Sequence, residues 1–141
     1  MSPPSSAHAA QLIGTWKAVS FAGIDEQTGA QTRAFGEHPK GYLIFQPGRM
    51  FAFISFEGVP PRPGAEAGAP RPSMMAYSGP YAVSEDSFVT MVDMSAFQGW
   101  IGTAQKRFYK IDGDRLEITT ETMMRPDGAK VHSLLIWRRD S

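Results

Sequence analysis

The sequence predicts an all-β domain, an antiparallel barrel of eight or nine strands. Three observations lead there. The 141 residues contain 14 glycines and 11 prolines, which cut the chain into short apolar stretches. Nine Phe, four Tyr and three Trp fall mostly within those stretches, as strand residues do. Turn-forming pairs join neighbouring stretches, which implies hairpins, and in one small domain closure into a barrel removes the unpaired edges.

The elements follow in order. Met1 to Ala10 (MSPPSSAHAA) has neither a basic region nor an apolar core, so it does not read as a secretory signal. Residues 1–11 are expected to be a disordered tail, residues 12–141 a single domain, and the location cytoplasmic. Leu12 to Phe21 is the first strand, with Trp16, Ala18 and Ser20 on one side and Lys17, Val19 and Phe21 on the other. A turn over Gly23 to Gly29 leads to a short strand over Ala30 to Phe35. Gly41 to Phe45 and Arg49 to Phe56 flank Gln46-Pro47-Gly48-Arg49, where Pro presets one turn dihedral and Gly accepts positive φ at the next. Both strands are apolar on both faces. Glu57 to Ser73 holds five prolines and three glycines in 17 residues and reads as a long loop, either a lid or a surface insertion. Met75 to Val83 is a strand broken by Gly79-Pro80, and Phe88 to Ser95 follows. Thr103 to Ile111 and Arg115 to Met123 flank Asp112-Gly113-Asp114, a hairpin signal. Lys130 to Arg139 closes the series.

Composition excludes several functions. Lys plus Arg equals Asp plus Glu at 14 each, so neither a broad basic nucleic-acid surface nor a polybasic membrane anchor is expected. Cysteine is absent, which removes disulfides, thiolate nucleophiles and zinc-cysteine sites. The three histidines are scattered without metal-ligand spacing. No glycine-rich nucleotide loop or nucleophile elbow occurs, so neither a nucleotide cofactor nor serine hydrolysis is expected.

Some polar side chains stand out within apolar strands. Asp93 could act as general acid or base if it faced a cavity, or sit in solvent or an ion pair. Gln105, Arg107 and Tyr109 share one face of their strand. Arg107 could pair with Asp93 or grip a ligand carboxylate or enolate. Tyr77 and Tyr81 share a face with Gly79 and could donate to a ligand carbonyl. His132 lies within a strand as a base or a structural residue. Met91 and the other methionines suit an adaptable apolar pocket or an ordinary core. Trp100, after Phe97-Gln98-Gly99, could cap one mouth of the barrel.

Gly14-Thr15-Trp16 resembles the Gly-x-Trp opening of lipocalins. LIGTWKAVSF, HPKGYLIFQPGRM, AYSGPYAV, WIGTAQKRFYKIDGDRL and the closing LIWRR together resemble the small bacterial and fungal lipocalin-like domain family. That resemblance implies a calycin-like barrel around an internal pocket with no prosthetic group. The Trp would plug the closed end, with Arg138 or Arg139 laid across it. Many relatives carry two histidines where this chain has Thr90 and Met91, while the acidic position is kept as Asp93. Some members lie in pathways to small natural products. The expectation is a barrel that takes up a small, mostly apolar organic molecule and acts on it as a cofactor-free isomerase or cyclase. Asp93 would be the acid or base, and Arg107 with Tyr109 or Tyr81 would stabilise an oxyanion. Tyr77, Tyr81, Met91, Trp100, Gln105 and His132 would contact the ligand. The alternatives are a non-catalytic intracellular carrier and an interaction domain with a filled core. An exposed barrel face would also suit a homodimer.

Overall fold

Tight turns set the strand order. Gly48 and Gly113, at φ of 83° and 60°, supply the left-handed conformation that the two shortest hairpins need. The computed structural model describes residues 10–33, 38–55, 74–125 and 127–140. The Pro/Gly-rich stretch Glu57 to Ser73 and most of the expected tail lie outside these residues. Ala10 to Leu12 form a helical turn, and Leu12 is buried.

The strands are β1 (Gly14–Asp25), β2 (Gln31–Thr32), β3 (Gly41–Gln46), β4 (Arg49–Ser55), β5 (Met74–Gly79) and β6 (Tyr81–Val83). They continue with β7 (Ser87–Met91), β8 (Met94–Ser95), β9 (Ala104–Asp112), β10 (Arg115–Thr120), β11 (Met123–Met124) and β12 (Lys130–Arg139). A single 3-10 turn, Gln98–Trp100, separates β8 from β9. All pairings are antiparallel and run in the order β6-β7-β9-β10-β12-β1-β3-β4-β5-β8, with β2 added to β1 and β11 to β12.

That path closes on itself. β5 and β6 are one strand bent at Pro80, and β7 and β8 are one strand bent at Val92 and Asp93. The two bent strands stay paired through the bend, where Met91 N–H donates to the Pro80 carbonyl and Asp93 N–H to the Ser78 carbonyl. The register changes by one residue there, from Tyr81 opposite Thr90 to Ser78 opposite Met94. Gly79 sits at the closest approach, and a Cβ on it would overlap the Met91 carbonyl. The result is an up-and-down barrel of eight staves, within the range that can fill its interior or hold one small ligand.

A second irregularity corrects the expected faces of β1. Ala18 lies opposite Trp137, but Ser20 lies opposite Ile136, so one residue bulges out and the alternation reverses. Phe21 therefore joins Trp16 and Ala18 on the inside, 5.0 Å from the Trp137 ring.

The core fills one half of the barrel. Trp16, Phe45, Met50, Phe88, Leu116 and Trp137 are almost fully buried there. Trp16 donates from Nε1 to the Leu12 carbonyl, and the Arg139 guanidinium lies 4.1 Å from its ring centroid. Arg139 also donates to the carbonyls of Ile13 and Gln11 at 3.0 and 2.9 Å. It thus takes the place across the Trp plug, while Arg138 points out to solvent. On the outer wall of β3 and β4 the facing pair Tyr42 and Phe53 remains exposed.

Candidate functional site

The other half of the barrel is lined differently. Register fixes which side chains point inward: Tyr109 pairs with the core residue Ile118, so Arg107 and Gln105 continue the same face of β9 away from the plug. Phe88 and Thr90 face them from β7, opposite Arg107 and Gln105 respectively. Tyr77, paired with Ala52, lines the interior from β5. Tyr77, Gln105 and Arg107 are only half buried among the described residues, whereas Trp16 at the other end is fully buried.

These side chains hold one another. The Arg107 guanidinium lies close enough to the Tyr77 hydroxyl for its charge to act on it. Burial pushes that hydroxyl above its ordinary range, and the nearby Arg107 charge opposes the rise. Arg107 also reaches the Gln105 amide oxygen at 3.4 Å and the Lys106 carbonyl at 2.9 Å. Gln105 in turn donates to the Thr103 hydroxyl at 2.9 Å, and Thr103 donates to the Trp100 carbonyl. Trp100 sits over the group, 5.2 Å from the Tyr77 ring and 6.0 Å from the Arg107 guanidinium carbon. The 3-10 turn thereby places an aromatic cap at the mouth.

Five residues expected at the site lie elsewhere. Asp93 is outside the barrel, bidentate with Arg49 at 2.8 and 2.6 Å, and Arg49 also donates to the Ser78 hydroxyl. The guanidinium holds its carboxyl below the usual range, the reverse of what a buried acid would show. Asp93 and Arg107 are not partners. Met91 shares the outward face with Asp93 and is 51 % exposed. Tyr81 points inward but at the plugged end, against Phe45 at 5.2 Å, with its hydroxyl on the Gln46 carbonyl. Tyr109 belongs to the core and donates to the Ser84 carbonyl. His132 is on the outward alternation of β12, with Nδ1 2.8 Å from Glu26 Oε2, which also accepts from Thr122.

Two inward groups were missed. The hydroxyl of Thr90 and Nε1 of Trp137 are both buried without a hydrogen-bond partner. Trp137 belongs to the packed half, whereas Thr90 lies one inward position along from Phe88, beside Arg107 and Gln105. Its signal was available, since Phe88, Thr90 and Val92 alternate against Val89, Met91 and Asp93, and a carboxylate marks the wet face. Among the described residues no group of three or more His, Asp or Glu side chains could hold a metal ion. No helix there is long and apolar enough to cross a membrane.

A meander barrel closed at one end by a Trp–Arg plug, with a polar cluster under an aromatic ring towards the other, defines a calycin-type barrel. The chain belongs to the lipocalin-like domain family, whose model matches residues 13–140. It is 37 % identical over 73 residues to the 4'-hydroxy-3'-methoxypropiophenone carrier protein ppsC of Aspergillus oryzae. That match covers 46 % of this chain and 66 % of the relative, just under two thirds of its length. Two solved structures are similar. A lipocalin-like protein from Bacteroides uniformis shares 12 % identity at a TM-score of 0.49, covering 91 % of this chain and 97 % of the other. An uncharacterized protein from Bacteroides eggerthii shares 11 % at 0.46, covering 91 % and 98 %.

Proposed function

We propose that this protein binds a small, mostly apolar organic molecule in the half of its barrel away from the Trp16 plug and acts as a carrier. One observation carries the reading: Tyr77, Gln105 and Arg107 converge on the side of the interior away from the plug, under Trp100, while the opposite end is packed solid. Concave, largely apolar sites with a few convergent polar groups are what small ligands use. The relative from Aspergillus oryzae supports it, since its name gives a carrier role and an aromatic ketone as cargo. The test is native mass spectrometry of freshly purified protein, followed by titration with 4'-hydroxy-3'-methoxypropiophenone read by tryptophan fluorescence. Saturable one-to-one binding, weakened by Tyr77→Ala, is the expected result. Failure of this ketone and of a panel of polycyclic and polyene compounds to bind would overturn the reading in favour of a filled interaction domain.

A cofactor-free isomerase or cyclase is the second reading, and one observation favours it. The Tyr77 hydroxyl, inside the barrel and within reach of the Arg107 charge, can donate to or stabilise a developing enolate. Asp93 has no part in it, because its carboxylate lies outside. Turnover of a bound compound that Tyr77→Phe abolishes while binding persists would select this reading. Binding without chemical change in the bound compound would select the carrier.

A further inference from the structure

Among the described residues the Arg107 charge has no counter-ion. The hydrogen-bond partners of Arg107 are the Lys106 carbonyl and the Gln105 amide, both uncharged. No carboxylate among the described residues forms an ion pair with it, and Asp93 is committed to Arg49. Thr90 adds an independent sign. It is 1 % exposed, stands on the inward face opposite Gln105 and Tyr81, and its hydroxyl has no partner. Arginine and a free hydroxyl can both donate, so the lining offers more hydrogen-bond donors than it uses. A half-buried cation without a counter-ion and a buried hydroxyl without a partner are both unfavourable. One ligand oxygen bearing negative charge would satisfy both.

We infer that the ligand is an oxyanion on an aromatic or conjugated skeleton, with its charged oxygen directed at Arg107 and Thr90 and its rings against Tyr77 and Trp100. The inference rests on the small-molecule reading above and adds the charge of the ligand to it. A carboxylate, a phenolate and an enolate share the required chemistry. Arginine matches them through its planar fork, and the aromatic cap matches the conjugated part.

Two fluorescent probes separate charge from skeleton. 8-Anilinonaphthalene-1-sulfonate and N-phenyl-1-naphthylamine share a ring system and differ by the sulfonate. Both are titrated into the full chain at neutral pH and fixed salt. The anionic probe should bind about tenfold or more tighter, the range of one charge-assisted hydrogen bond. Arg107→Met should abolish that preference, bringing the two probes to equal affinity, and Thr90→Val should reduce it. Arg107→Lys, which keeps the charge and loses the fork, should retain part of it and covers a folding failure of the methionine variant. Arg138→Gln, on the outer wall, should leave the preference intact. Equal affinity for the two probes, or a preference that survives Arg107→Met, overturns the inference while the binding site stands. Binding of neither probe overturns the small-molecule reading together with it.

Discussion

Replacing Arg139 by methionine tests whether the plug holds the barrel shut. The guanidinium carbon lies 4.1 Å from the Trp16 ring centroid, and its nitrogens reach the Ile13 and Gln11 carbonyls at 3.0 and 2.9 Å. A partly desolvated cation–π contact contributes about 1 kcal/mol. Two hydrogen bonds from a charged donor add about 1 kcal/mol each, at the low end because Gln11 is exposed and water can replace its partner. Asp114, 3.6 Å away and 78 % exposed, adds little. Methionine keeps the apolar stem on the indole, so the expected loss is about 2–3 kcal/mol. That is a large part of the ~5–15 kcal/mol of a typical domain. In urea unfolding followed by tryptophan fluorescence the midpoint should fall by about 1 M. Arg138→Met, one residue earlier and pointing outward, should change stability by less than about 0.5 kcal/mol. Equal effects of the two substitutions would refute the reasoning, because Arg139 would then be one more surface cation.

Three further outcomes are expected. Gly79→Ala places a methyl into the backbone of Met91 and Val92, so a thermal melt should show a loss of ~3 kcal/mol or more, and an unchanged melting temperature would contradict the closure of the barrel at that seam. Thr90→Val removes an unpartnered buried hydroxyl and should stabilise the free protein by ~1 kcal/mol while weakening anionic ligands; a fall in melting temperature would contradict it. The carboxyl of Asp93 is held below its unfolded value, so its pairing stabilises above the unfolded pKa and is lost as pH falls through the folded one. Asp93→Asn should therefore be less stable than wild type near neutrality and converge with it in strong acid, measured by denaturant midpoints across pH; a difference independent of pH would contradict the ion pair.

Turns and alternation were legible because both are local. Pro47-Gly48 and Asp112-Gly113 fix their hairpins through single-residue dihedral preferences. The Gln105, Arg107 and Tyr109 face of β9 follows from a straight strand. Irregularities were not legible, since a bulge is a relation between two strands. The extra residue near Ala18 turns Phe21 inward, and Phe88 to Ser95 is split at Val92 and Asp93 where it follows the Gly79-Pro80 break that the sequence does show in its neighbour. The sequence reading puts Asp93 and Met91 on the lining, whereas Thr90 lines it, a one-position difference in phase that exchanges wall and interior. The partner of Asp93 was out of reach as well, because Arg49 is brought to it only by the β4–β5–β8 pairing.

The pairing of β1 with β12 has a consequence in time. During synthesis β3 and β4 are available to β1 early, but its other edge waits for Lys130–Arg139, which also delivers the arginine that covers Trp16. Until then the growing chain is an open sheet with an uncovered indole and a bare edge, the state most prone to wrong partners. Completion is therefore a single late event that joins the two ends of the domain, where Asp140 N–H meets the Thr15 carbonyl. Loss of the last strand would strand the chain in that state rather than trim it.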